Sequence, residues 1–175
     1  MSVSGTVGDH AIPLADYPHV RDNATLRDVF ATLKEKYDSA EQFRSVLVLD
    51  AKDRLVGMLG LRDLLYALLP DYLRQQGGRF EGKGENVTGL AMLWQEDCAE
   101  HCRKAATLVA GAHATPVAAT VAAGDPLAKA VYLFATLSTN VLPVTEAGRV
   151  TGVLRIVDVL SEVANAVLAE GAAVA

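Results

Sequence analysis

The sequence predicts an α/β protein with mixed sheets, made of two copies of one β-α-β-β-α unit, and three observations predict it. First, an amphipathic helix repeats, as Leu26-x-x-Val29-Phe30-x-x-Leu33 and as Leu127-x-x-Ala130-Val131-x-x-Phe134. Each places apolar residues at i, i+3, i+4 and i+7, one buried stripe of helical period. Second, "SVLVLDAKDRLVGMLGLRDLL" (45–65) and "NVLPVTEAGRVTGVLRIVDVL" (140–160) share an order of features. Each has a β-branched run, a polar turn, a second apolar run, a glycine and a helix-like continuation. Third, Gly57 matches Gly152 and Asp63 matches Asp158 at one constant spacing, so the copies stay in register.

The elements follow in order. Pro18-His19-Val20 and Ala119-Thr120-Val121 align as leading strands. Asn23 and the Asp125-Pro126 pair precede the helical stripes, as a cap and a first-turn proline would. The helices match at a spacing six residues longer than the later features, because residues 34–44 stand where the other copy has 135–139. That is a helix-to-strand connection, where an insertion is tolerated. A unit of about 50 residues buries too little apolar surface to stand comfortably alone. Two copies sharing a core, pseudo-twofold related with a cleft between them, is the expected arrangement.

Between the copies, Gly77–Gly84 ("GGRFEGKG") nearly spells G-x-x-x-x-G-K-[ST]. A phosphate loop needs a hydroxyl after its lysine and a strand before it. Gly84 supplies no hydroxyl, and Tyr72-Leu73-Arg74-Gln75-Gln76 is not strand-like, so the stretch reads as a connector. Leu90 to Leu108 reads as a linker helix, with Met92, Leu93 and Trp94 packing on the body. At the other end, Leu160, Val163, Ala164 and Val167 form a stripe at helical spacing, widened by Ala166 and Leu168. It either faces a partner or covers the sheet of its own copy. Gly171–Ala175 should fray.

The 175 residues are 51% hydrophobic and 21% charged, with ample material for a core. A net charge of −5 argues against a general nucleic-acid binder, which carries a basic face. No basic stretch followed by an apolar run opens the chain, so no secretory signal is expected. The apolar window Ala105–Gly124 contains His113, Pro116 and several threonines, which argues against a membrane span. Two cysteines four apart make no disulfide framework and point to a reducing cytoplasm.

The duplicated pattern resembles a tandem pair of CBS domains, the cystathionine-β-synthase motif, often called a Bateman module. The family pattern is "h-P-V-h-[DE]", a turn, then "G-h-h-[ST]-x-x-D-h-h". The second copy supplies Leu142-Pro143-Val144-Thr145 and Gly152-Val153-Leu154-Arg155-Ile156-Val157-Asp158. The first supplies Leu47-Val48-Leu49-Asp50 and Gly57-Met58-Leu59-Gly60-Leu61-Arg62-Asp63. Thr115-Pro116 is similar to the "t-p" that precedes a copy. The resemblance implies CBS domains at 14–69 and 113–167, with a linker at 70–112.

It further implies a non-catalytic, ligand-sensing module without a required cofactor. The implied ligand is adenosine-containing (AMP, ADP, ATP or S-adenosylmethionine) and sits in the cleft between copies. Asp63 and Asp158 become candidates for the ribose diol, or else simply favourable charges at helix starts. Val48, Leu49, Pro143 and Val144 become the base wall, and Gly57 and Gly152 precede the phosphate-facing turn. The family's hydroxyl position is Gly60 in one copy and Arg155 in the other. Gly60 leaves room for close backbone approach. Arg155 either contacts phosphate as a charge-assisted fork or pairs with a neighbouring acid. A homodimer formed through helices, or an unidentified protein partner, would carry the output. A structural module with degenerate clefts is the alternative.

One other cluster invites chemistry. "DCAEHC" places Cys98, His101 and Cys102 on one face if helical, three ligands where a zinc site needs four. No metal is expected there. The four histidines (His10, His19, His101, His113) share no motif with a Ser or Cys nucleophile, so no enzyme is expected.

Overall fold

A computed structural model describes residues 5–37, 43–74 and 87–171, so the Gly77–Gly84 connector and 172–175 lie outside the described residues. The class is mixed α/β, with two three-stranded sheets among the described residues. In chain order the elements are α1 (Val7–His10), β1 (Ile12–Pro13), β2 (His19–Arg21), α2 (Leu26–Tyr37), β3 (Ser45–Leu49), β4 (Leu55–Gly60) and α3 (Leu61–Leu68). Then come α4 (Asp71–Arg74), α5 (Val87–Ala106), α6 (Ala110–His113), α7 (Leu127–Thr136), β5 (Val141–Glu146), β6 (Arg149–Arg155) and α8 (Ile156–Gly171). The chain divides into two compact units, one of Val20–Val48 with Val56–Thr115, the other of Met1–His19, Leu49–Leu55 and Pro116–Ala175.

In the first unit the sheet runs β2-β3-β4. All five residues of β3 are buried, which is why it reads as an unbroken apolar run rather than an alternating one. Leu26, Val29 and Leu33 of α2 pack with Val46, Val48, Leu59 and Leu64 in one core, while Phe30 at the edge of the stripe is 37% exposed. The helix is capped by Thr25, not Asn23. The Asp28 carboxylate accepts the Thr25 backbone N–H at 2.8 Å, and the Thr25 hydroxyl accepts the Asp28 N–H at 3.3 Å. This is a capping box with Asp in the third helical position. The Thr25 hydrogen bonds hold the Asp28 carboxyl below the usual carboxylate range.

In the second unit the sheet runs β1-β6-β5. Leu142, Val144, Leu154, Leu127, Ala130, Phe134 and Val159 form its core. Val121 supplies the leading strand as a single parallel bridge to Val144. Pro126 is the residue before α7 rather than its first-turn residue, and the Asp125 carboxylate accepts from Lys129 at 2.7 Å and from the Ala122 N–H at 2.8 Å. On α8 the buried side is Val159 with half-buried Ile156 and Val163, whereas Leu160, Val167 and Leu168 are 63%, 64% and 72% exposed. Of the two alternatives for this stripe, most of it is left exposed, and the sheet of its own copy is covered by the neighbouring Val159 side of the helix. On α5, Met92 is 64% exposed instead of packed, while Trp94 is half-buried.

Each sheet edge is closed by a segment the duplication did not flag. In the second unit Ile12 pairs with Val153 and Pro13 with Gly152, and α1 is anchored by Val7 N–H to Asp125 O (2.9 Å) and Gly8 N–H to Ala123 O (2.8 Å). In the first unit Thr115 and Met58 exchange two backbone hydrogen bonds of 2.9 Å. There α6 is anchored by Ala110 N–H to Ala24 O and Gly111 N–H to Asp22 O, both 2.8 Å. The two segments are themselves a repeat: Gly8-Asp9-His10-Ala11-Ile12-Pro13 and Gly111-Ala112-His113-Ala114-Thr115-Pro116, or G-x-H-A-x-P twice.

Candidate functional site

Both candidate sites begin where an apolar strand runs without a loop into a helix. In the first copy β4 ends at Gly60 and α3 starts at Leu61. Asp63 sits in the third helical position, and its Oδ2 accepts the Gly60 N–H at 2.8 Å. That bond satisfies an otherwise orphaned amide and fixes the carboxylate's orientation. Among the described residues its other oxygen, Oδ1, receives only a long contact from the Thr115 hydroxyl, 3.4 Å away. A Cβ on Gly60 would meet nothing nearer than Asp63 Oδ2 at 3.4 Å, so space is open beside this helix start.

The second copy has the same frame with a different occupant. β6 ends at Arg155, α8 begins at Ile156, and Asp158 takes the third position. Arg155 Nε donates to Asp158 Oδ2 at 2.7 Å and Nη2 donates to Oδ1 at 2.8 Å. The fork uses both carboxylate oxygens, the strongest geometry such a pair adopts. The side chains are 20% and 26% exposed, so the pair is partly shielded from water. Of the two roles open to Arg155, pairing with the neighbouring acid is the one adopted here.

Gly57 and Gly152 serve packing. A Cβ on Gly57 would stand 2.7 Å from Thr115 O, and one on Gly152 would stand 2.7 Å from Ile12 O. Only glycine lets the G-x-H-A-x-P backbone lie this close to the strand. Val48 and Val144 are likewise core residues, their side chains spent on their own units. Leu49 and Pro143, next to them on the same strands, point to the opposite face by the period of two and are also buried. The structure thus gathers Gly60 with Asp63 and Arg155 with Asp158, and it adds Thr115 to the first pair.

The cysteine cluster resolves differently. Cys98 and Cys102 lie one turn apart on α5 with sulfurs 3.8 Å apart, and burial followed by Cys98 itself pushes the Cys102 thiol up. His101 engages the Asp97 carbonyl through Nδ1 at 3.0 Å. Among the described residues no group of three or more His, Cys, Asp or Glu is arranged to hold a metal ion. Among them, too, no helix is long and apolar enough to cross a membrane.

Two in-register strand–helix units, each with an acid at the helix start, define a tandem-repeat α/β fold. The CBS domain family model matches residues 7–70 and 110–165, and the chain belongs to that family. Its fold is similar to that of the CBS-pair protein CBSX2 from Arabidopsis thaliana, at 23% identity over 93% of this chain and 96% of that one, with a TM-score of 0.64. CBSX2 solved in complex with AMP matches at 24% identity over 91% and 96%, TM-score 0.61. The cytosolic domain of the Mg2+ channel MgtE in complex with ATP matches at 23% identity over 89% of this chain and 48% of that one, TM-score 0.60. A comparison with curated protein sequences finds no match.

Proposed function

We propose that this CBS pair is a regulatory module that binds one adenosine-containing ligand, an adenine nucleotide or S-adenosylmethionine, at the start of α3. The observation that carries the reading is the Asp63 carboxylate. One of its oxygens is oriented by the Gly60 amide, and the other has only a 3.4 Å contact. A carboxylate held this way can accept from a ribose diol, and the open space at Gly60 suits a phosphate approaching the helix N-terminus. AMP on CBSX2 and ATP on MgtE support the ligand class.

The doubly engaged Asp158 favours a second reading for the second copy alone, a site that has become structural. Exposed apolar helix residues, Phe30, Leu61 and Leu65 in one unit and Val157 and Leu160 in the other, support a second copy of the chain as the route of output. A thermal-shift panel of AMP, ADP, ATP and S-adenosylmethionine tests the reading. A ligand at a hundredfold over its Kd stabilises by ~2.7 kcal/mol. The shift should vanish in Asp63→Ala and persist in Asp158→Ala. Silence from all four ligands, or the reverse pattern in the variants, would sink it.

A further inference from the structure

The DCAEHC stretch turns its histidine to a different use. His101 lines a cavity of about 280 Å³ in the first unit, together with Lys104 from the same helix, Arg74 from α4 and His113 from α6. Basic residues from three separate elements line one space. Among the described residues the only acid on its wall is Asp71, whose side chain is 87% exposed and stands 3.8 Å from Arg74 Nη1.

Arg74 is already immobilised. Its Nε donates to Leu69 O at 2.7 Å and its Nη2 to Ala67 O at 2.9 Å, capping the end of α3. A guanidinium has five N–H donors in a fixed fork, so the rest stay available in a set direction. Lys104 is paired with Glu100 at 2.6 Å, but the side chains are 69% and 54% exposed. A pair so wet is held weakly and yields its ammonium to a better acceptor. His101 spends only Nδ1, on Asp97 O, and His113 has no hydrogen-bond partner among the described residues. The remaining wall is apolar and includes Leu108.

We propose that this cavity binds a compact oxyanion, either inorganic phosphate or the phosphate group of a small metabolite. It shares no residue with the helix-start site and stands independently of the nucleotide reading. Basic residues drawn from three elements suit a tetrahedral dianion better than a flat carboxylate, which one guanidinium satisfies edge-on.

Titration of the full chain with inorganic phosphate, followed by calorimetry or phosphorus NMR, tests the proposal, with acetate in parallel. The expected result is saturable phosphate binding that weakens at least tenfold in Lys104→Ala/His113→Ala. Acetate should bind at least tenfold more weakly than phosphate. Asp63→Ala should keep the wild-type phosphate affinity, so this site and the nucleotide site fail separately. Should the double variant misfold, Lys104→Ala alone carries the test with a loss of at least threefold. Non-saturable binding, an unchanged affinity in the lysine variant, loss in Asp63→Ala, or acetate binding as tightly would each overturn the proposal.

Discussion

Asp63 and Asp158 hold the same place in two copies of one unit, yet they keep different company. One carboxylate is oriented by a backbone amide and keeps an oxygen nearly free. The other is clasped at both oxygens by an arginine three residues earlier. The frame around them is the same because the backbone enforces it. In each copy a glycine lets a neighbouring segment lie 2.7 Å from where a Cβ would be, and the strand passes straight into the helix. Two side chains beside the acids differ, Gly60 against Arg155 and Thr115 against its repeat mate Ile12. The lesson is that duplication can preserve a scaffold while a change of side chain decides whether the carboxylate at the helix start is left open or clasped.

The largest effects probe whether the two frames are equivalent. Leu59 and Leu154 are repeat mates, 1% and 0% exposed in their respective cores. Leu59→Ala and Leu154→Ala should each cost about 2–5 kcal/mol in chemical denaturation. A cost severalfold greater in one copy would break the comparison. A smaller effect sharpens it. Arg155→Ala should cost about 1 kcal/mol, the upper end for a partly exposed pair, because the fork is bidentate. It frees Asp158, so the ligand count per chain measured by calorimetry should rise from one to two. A count fixed at one would mean that the arginine is not what closes the second site.

The smallest effect is acid sensitivity. Asp28 in the first unit and Asp125 in the second are both held below the ordinary carboxylate range, by the Thr25 amide and by Lys129 respectively. Their folded pKa values are depressed, so the stability they add is present above the unfolded value of about 3.9 and is lost as pH falls through the folded values. Melting temperature should therefore decline below about pH 4, and the decline should flatten in Asp28→Asn and Asp125→Asn. A decline of unchanged steepness in both variants would place the acid lability elsewhere.

Much of this was legible in the chain. The paired helices and hairpins stood out because each spans several turns or a whole strand, long enough for period and register to speak. The helix-start acids were legible for the same reason, since they sit at a fixed distance from a glycine in each copy. Three things were not. The G-x-H-A-x-P segments form one helical turn and two or fewer paired residues, too short for periodicity, and their sheet partners are far away in sequence. Which of the two alternatives held for the α8 stripe was hidden because apolar residues occupy more than half of the helix circumference, wider than one packing face. Whether Arg155 reached outward or folded back onto Asp158 depends on its rotamer, which no spacing encodes. The Thr25 cap, by contrast, was available in Thr25-x-x-Asp28 and was passed over for the nearby Asn23.

The crossed sheet edges set an order of birth. Thr115 can meet Met58 as soon as α6 has emerged from the ribosome, so the first unit can complete itself while the rest of the chain is still being made. Ile12, translated before Thr115, must wait for Val153. At about 5–20 residues per second that delay lasts several seconds or more. Of the two repeated edge segments, the one made earlier is thus the later to find its partner.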